Sequence, residues 1–193
     1  MISIIDIDHQ HSLELADSLK EITEDFKITF DESELLKSSK IIISFSDNIS
    51  KAIRKIHLMN LFSALRMTSD KPILGIDSGM HLMCENADGI SCLGMIPGIT
   101  VKSVTLDENE FDDKKLEIIK ISNDFLLKDI DDGAKFYFEK NYFLSKNIFS
   151  TSVLKKKEEL SASIRKDNFF GLQFLPQKSG EDGLKILKNF VEL

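Results

Sequence analysis

The chain has 193 residues, of which 42% are hydrophobic and 30% charged, with a formal net charge of −7, the balance of a globular protein with one core. A surface this acidic is repelled by nucleic acid and by anionic membranes, so neither is an expected partner. Two cysteines are too few for a disulfide framework, and no apolar run reaches the ~18–20 residues of a membrane-spanning helix.

The first six residues lack the basic start and long apolar stretch of a secretion signal, so the expected location is the cytoplasm. Residues 2–7 form a short apolar run closed by acidic residues, the mark of a buried strand. From Ser12 the spacing turns helical, with Leu13, Ala16, Leu19 and Ile22 on one face. Residues 26–30 alternate like a strand, and Asp31 is placed to cap a short helix at the backbone near Glu34. Residues 40–45 predict another buried strand, residues 49–67 a long helix, and residues 72–76 a strand that runs straight into a helix reaching about Asn86. This alternation favours parallel strands with crossover helices, an α/β doubly wound, mostly parallel sheet with flanking helices. The second half adds strands at 100–105, 116–122, 135–139, 148–154, 160–165 and 169–174. A helix over 179–193 closes the chain, with Leu184, Leu187, Phe190 and Val191 as its buried stripe. The run Lys155-Lys156-Lys157, followed at once by two glutamates, reads as a solvated turn. No repeat or linker divides the chain, so residues 1–193 are expected to form a single domain.

Gly75-Ile76-Asp77-Ser78-Gly79 lies at the strand-to-helix junction. A glycine on each side of the central residue is the pattern of a nucleophile elbow, whose central side chain projects at the helix N-terminus. On spacing alone a merely structural turn is the favoured reading, because strand-to-helix junctions use glycine everywhere. The neighbourhood adds more. The segment from Lys71 to Met83 resembles the nucleophile segment of class I glutamine amidotransferases, and Leu93-Gly94-Met95-Ile96-Pro97-Gly98 resembles the segment that follows it. Phe136-Tyr137-Phe138 with Tyr142 resembles the family's aromatic strand. Asn168-Phe169-Phe170-Gly171-Leu172-Gln173-Phe174-Leu175-Pro176-Gln177-Lys178-Ser179 is similar to the C-terminal segment of the glutaminase subunit of imidazole glycerol phosphate synthase (HisH). The resemblance runs from the first strand to the last helix and implies a flavodoxin-like amidotransferase fold.

The same resemblance implies that the activity is lost. The family cuts the glutamine amide with an elbow cysteine, activated by a histidine that a glutamate orients. The matching positions here are Asp77, Leu175 and Gln177. Leucine neither takes nor gives a proton, so general-base activation disappears. The segment Ser44-Phe45-Ser46-Asp47-Asn48 carries none of the glycines that would present oxyanion donors, and the family's Gly-Trp-Asn-type segment is missing. The resemblance also implies a partner, a (βα)8-barrel synthase subunit resembling HisF.

Asp6-Ile7-Asp8-His9-Gln10-His11 falls where the first strand meets the first helix, at the edge where open parallel sheets bind ligands. Asp8, His9, His11, Ser44, Ser46, Ser78 and His81 are therefore expected to line a crevice around Asp77. Asp8, His9, His11 and Asp77 have the ligand chemistry of a divalent metal site. The plainer reading makes Asp8 a helix cap and the histidines solvated, and no metal or other cofactor is expected. His57 falls within a helix pattern, and Cys84 and Cys92 read as core residues rather than nucleophiles. The expected function is a catalytically inactive HisH-like domain that binds or regulates a synthase. The alternatives are a repurposed, metal-dependent enzyme using the Asp77 crevice, and a binding protein for a glutamine- or amine-like molecule.

Overall fold

The computed structural model describes residues 1–45, 48–103, 114–139 and 142–193. In chain order the elements begin β1 (Ile2–Ile5), α1 (His9–Lys20), β2 (Phe26–Thr29), α2 (Glu32–Lys37), β3 (Lys40–Phe45), α3 (Ile49–Leu58), α4 (Leu61–Met67), β4 (Ile73–Asp77) and α5 (Ser78–Met83). They continue β5 (Cys84–Ala87), β6 (Ile90–Ser91), β7 (Ile96–Ser103), β8 (Lys115–Lys120), β9 (Lys135–Tyr137), β10 (Tyr142–Ser145), β11 (Ser150–Leu154), β12 (Lys157–Lys166), β13 (Phe169–Leu172) and α6 (Gly180–Glu192). Among the described residues the 3₁₀ turns Phe125–Leu127 and Pro176–Lys178 lie between them.

The centre of the sheet runs β2-β1-β3-β4-β13, every pair parallel. β12, β10 and β7 then extend it antiparallel, and β5 and β6 complete that edge. β11, β8 and β9 branch from β12. Strand alternation puts helices on both faces. In β3, Ile42 joins the core beneath α1 and α6 with Leu15, Leu19, Leu187 and Phe190. Its neighbours Ile41, Ile43 and Phe45 face the other way, against Ile56, Leu65 and Met80 of α3, α4 and α5. Each such side chain, removed from water, contributes roughly 1.5–3 kcal/mol. Serine-rich β11 and the middle of β12, residues 160–164, are also buried, because their hydroxyls satisfy one another: Ser150 with Ser161 at 2.7 Å, and Ser163 with both Thr151 and Ser152 at 2.6 Å. Among the described residues no helix is long and apolar enough to cross a membrane.

The parallel doubly wound centre agrees with the sequence pattern, and several boundaries differ for identifiable reasons. The helix expected over 49–67 breaks at Asn60, whose φ of 56° is left-handed, a conformation asparagine tolerates at a helix end. α5 stops at Met83, not near Asn86, because the chain turns extended at Cys84 and pairs with β7 and β6. The β5–β6 hairpin closes through Asp88-Gly89, both with positive φ, the two-residue turn that an Asp-Gly pair favours. β10 was not anticipated, and Ile148, expected in a strand, is almost fully exposed ahead of β11. Leu13 is exposed on α1, where Leu15 is buried instead. In α6 the buried stripe is Gly183, Ile186, Leu187, Asn189 and Phe190, with Leu184 and Val191 only half-buried. Lys155, Lys156 and Lys157 form the turn region into β12, the first two exposed. The expected strand end at 104–105 lies outside the described residues.

Candidate functional site

β4 delivers Asp77 to the end of the parallel sheet, beside Phe45 of β3. There the backbone takes φ 51° and ψ −118° before α5 begins at the next residue. That conformation lies outside the regions open to L-residues and costs of order 1–3 kcal/mol. The surrounding packing imposes it. A Cβ on Gly79 would lie 1.9 Å from the Ile43 carbonyl oxygen, and one on Gly75 would lie 2.7 Å from the Gly79 backbone. The two glycines thus let α5 settle directly on β3 and β4, and the chain can reach it only through a sharp elbow. Asp77 is fully buried and sits at the N-cap position without making a side-chain capping bond.

Ser78 and His81 follow on α5, both buried. His81 Nε2 lies 2.8 Å from the Gln173 side-chain oxygen, so this nitrogen carries the proton and donates. Its ring lies 6.3 Å from that of Tyr142. Ser44 is buried on β3 beside Ile76, and Ser46 lies outside the described residues. A cleft of about 290 Å³ opens next to the elbow, lined by Asn48, Ile49, Ser78, Ala87, Asp88, Ile90 and Tyr142. Of these the sequence had offered only Ser78 as lining and Tyr142 as part of an aromatic strand. The Asp88-Gly89 turn was the overlooked signal, since it swings β5 and β6 back over the elbow.

Leu175 is fully buried among Phe136, Phe138 and Phe174, and its N–H donates to the Tyr137 carbonyl at 2.8 Å. Gln177 sits in the following 3₁₀ turn, and both polar atoms of its buried carboxamide take no hydrogen bond among the described residues.

The β1–α1 junction forms a polar corner. Asp8 caps α1, its Oδ1 accepting from the Gln10 and His11 N–H groups at 3.2 and 3.5 Å. His9 is exposed and pairs with Asp6 at 3.1 Å. His11 is buried, its Nε2 3.9 Å from both the Asp8 and Glu139 carboxylates. Lys178 reaches Glu14 at 3.1 Å and Glu139 at 3.8 Å. Burial pushes the Glu14 carboxyl upward, but hydrogen bonds from Gln10 and Lys178 outweigh it and hold the group below the usual range. Glu139, Glu14 and Lys178 went unnoticed in the sequence, because nothing local joins three such distant positions. Among the described residues no group of three or more His, Cys, Asp or Glu side chains is arranged to hold a metal ion.

Cys84 and Cys92 are buried free thiols, and burial pushes them up to about 12 and about 11 respectively. His57 stacks on Phe62 with ring centroids 5.0 Å apart, on α3 and α4.

No protein-family model matches the chain. Curated relatives do. The chain is 30% identical to imidazole glycerol phosphate synthase subunit HisH 2 of Legionella pneumophila (strain Lens), over 100% of this chain and 98% of that protein. It is 31% identical to the HisH subunit of Buchnera aphidicola subsp. Schizaphis graminum, over 91% of each. The HisH subunit of Escherichia coli (strain K12) is 29% identical over 86% of each. Among solved structures, a glutamine amidotransferase superposes with a TM-score of 0.75 at 11% identity, covering 99% of this chain and 97% of that one. A chain of PurLQS from Thermotoga maritima superposes with a TM-score of 0.71 at 14% identity, with the same coverage.

Proposed function

Since the chain belongs to the family of HisH subunits, class I glutamine amidotransferases of imidazole glycerol phosphate synthase, we propose that it is a member without glutaminase activity, one that binds or regulates a synthase subunit. The observation that carries this reading is the trio Asp77, Leu175 and Gln177 at the positions the resemblance matches to the nucleophile, base and orienting residue. A carboxylate at the elbow repels the oxyanion that amide cleavage must build, and leucine offers no atom to take the proton. Loss of one member of such a triad typically lowers the rate by about 10⁴–10⁶-fold. The elbow meanwhile keeps its strained backbone and its two glycines, so the scaffold is conserved in shape and altered in chemistry.

The relatives are named as subunits of a synthase, which supports a protein partner for this chain. The partner we propose is a (βα)8-barrel synthase subunit resembling HisF, docked over the edge of the sheet that carries Asp77 and the β1–α1 corner. The test is ammonia release from glutamine by the purified chain, with and without the barrel synthase of the same genome. The variant Asp77→Cys, Leu175→His, Gln177→Glu serves as the comparison. We expect no turnover by the natural chain in either condition and a stable complex by sedimentation. Turnover well above background refutes the loss of activity, and failure to form a complex refutes the binding role.

One observation favours a second reading. The cleft beside Ser78 and Tyr142 is open and partly polar, which suits a small glutamine- or amine-like ligand. A thermal shift on adding glutamine or ammonium that disappears in Tyr142→Ala supports it.

A further inference from the structure

A second cleft, of about 470 Å³, lies far from the elbow and is lined by Lys120, Ser122, Asn123, Asp124, Phe125, Leu127, Lys128 and Asp129. That volume falls within the range of roughly 300–1,000 Å³ common for small-molecule sites. Its place in the fold follows from Asp124, which meets Arg165 of β12; Arg165 pairs with Phe170 of β13, and Phe170 with Leu74 near the start of β4. Asp77 ends that same strand, so the two clefts open at opposite edges of the sheet.

The walls are fixed in advance. Asn189 of α6 donates from its Nδ2 to the Leu126 and Lys128 carbonyls, each at 2.9 Å, and so holds the 3₁₀ turn in place from inside the core. Asp124 begins that turn, its Oδ1 accepting the Leu126 N–H at 2.8 Å. Its Oδ2 takes no hydrogen bond among the described residues, and the Arg165 guanidinium stands 3.8 Å from it. The residue is only 6% exposed, so a carboxylate has been taken out of water with one oxygen that has an ion-pair partner in Arg165 but no hydrogen bond. Burial pushes its carboxyl up, against the pull of the Leu126 N–H and Arg165.

The lining carries two cations, Lys120 and Lys128, and two anions, Asp124 and Asp129. A polyanion meets two carboxylates there, and a polycation meets two lysines. A ligand carrying one charge of each sign fits both halves. Lys120 Nζ already donates to the Ile130 carbonyl, whereas Lys128 Nζ lies 5.9 Å from the Phe125 ring centroid, above a partly exposed aromatic face. Phe125 and Leu127 add apolar surface, and Ser122 and Asn123 add neutral hydrogen-bonding groups.

We propose that this cleft binds a small zwitterion of the α-amino-acid class. The ligand's ammonium joins Arg165 at Asp124 Oδ2, its carboxylate faces Lys128, and its side chain lies along Phe125. The ammonium supplies the hydrogen bond that the buried oxygen lacks, and a charge-assisted bond of this kind is worth about 1.5–3 kcal/mol, roughly a tenfold to hundredfold change in affinity.

The test is calorimetric titration of the full chain with each standard L-amino acid. Any binder is repeated as its decarboxylated amine and as its N-acetyl derivative. We expect at least one amino acid to bind in the millimolar range or tighter, with both derivatives about tenfold or more weaker. Asp124→Asn keeps an oxygen for the Leu126 cap and removes the charge; Lys128→Gln does the same at an exposed position that the fold does not need. Both are expected to weaken binding by about tenfold or more, while Tyr142→Ala at the elbow cleft leaves it unchanged. If Asp124→Asn does not fold, Lys128→Gln decides alone. No binding by any amino acid at millimolar concentration overturns the proposal. Binding that survives both substitutions but is lost in Tyr142→Ala also overturns it, and assigns the ligand to the elbow cleft.

Discussion

Replacing Gly79 by alanine tests the origin of the elbow, because two accounts of that glycine predict opposite signs. Gly79 lies inside α5, and by helix propensity alone alanine is favoured over glycine by about 1 kcal/mol. The packing says otherwise. The new methyl carbon would lie 1.9 Å from the Ile43 carbonyl oxygen and 2.7 Å from its carbonyl carbon. A close carbon–oxygen contact is about 3.3 Å, so α5 has to lift from β3 by more than an ångström. The obstacle is the backbone of a central strand, which has no rotamer to change. Overpacking of movable side chains costs about 1–3 kcal/mol, and we place this substitution at about 3 kcal/mol or more after the propensity gain. Gly98→Ala is the reference, since its φ of 73° is left-handed and, among the described residues, no atom beyond its chain neighbours lies within 4 Å of the new methyl group. Its cost is conformational alone, about 1–2 kcal/mol. Urea denaturation of the two variants beside the parent measures both. A Gly79→Ala midpoint equal to or above the parent's refutes the claim that close helix–strand approach creates the elbow.

Two further predictions concern stability. Asp8→Ala removes the hydrogen bonds to the Gln10 and His11 N–H groups and should lower stability by about 1 kcal/mol, whereas Asp8→Asn should cost a few tenths; equal losses in the two variants would point away from capping. Asp124 is a carboxylate whose folded pKa is raised by burial, so its charge opposes folding above that pKa. The penalty fades as pH falls through the folded pKa and vanishes below the unfolded value near 3.9. Asp124→Asn should therefore be more stable than the parent at neutral pH, by a margin that shrinks on acidification. A margin that grows as the pH falls would reverse the assignment.

The parts of this molecule that were legible in the sequence are those decided locally. Apolar runs such as residues 40–45, the Asp31 cap and the glycines around Asp77 each act on a few neighbours, and each lies where the spacing put it. Asp31 accepts the Glu34 N–H at 3.0 Å, but the Glu34 carboxylate does not reach back to the Asp31 N–H and turns to Lys27 and Thr29 instead. Long-range pairing defeated the reading elsewhere. Residues 84–87 continue a helical pattern yet become a strand, because β7 offers a partner that no local window contains. The crevice residues divide in the same way. Ser78 and His81 follow from the elbow, whereas the contacts of His81 with Gln173 and of His11 with Glu139 join positions about ninety and about one hundred and thirty apart.

The parallel pairing of β4 with β13 bears on how the chain comes together during synthesis. Ile73 lies opposite Phe169, so one flank of the strand that carries Asp77 stays vacant until β13, nearly a hundred residues later, has been made. Until then the emerging chain presents an apolar edge, the kind of surface that chaperones shield and that aggregates recruit. Contacts this distant in sequence also close slowly. Assembly of the elbow therefore waits on β13, and changes in that strand should delay it even where they lie far from Asp77.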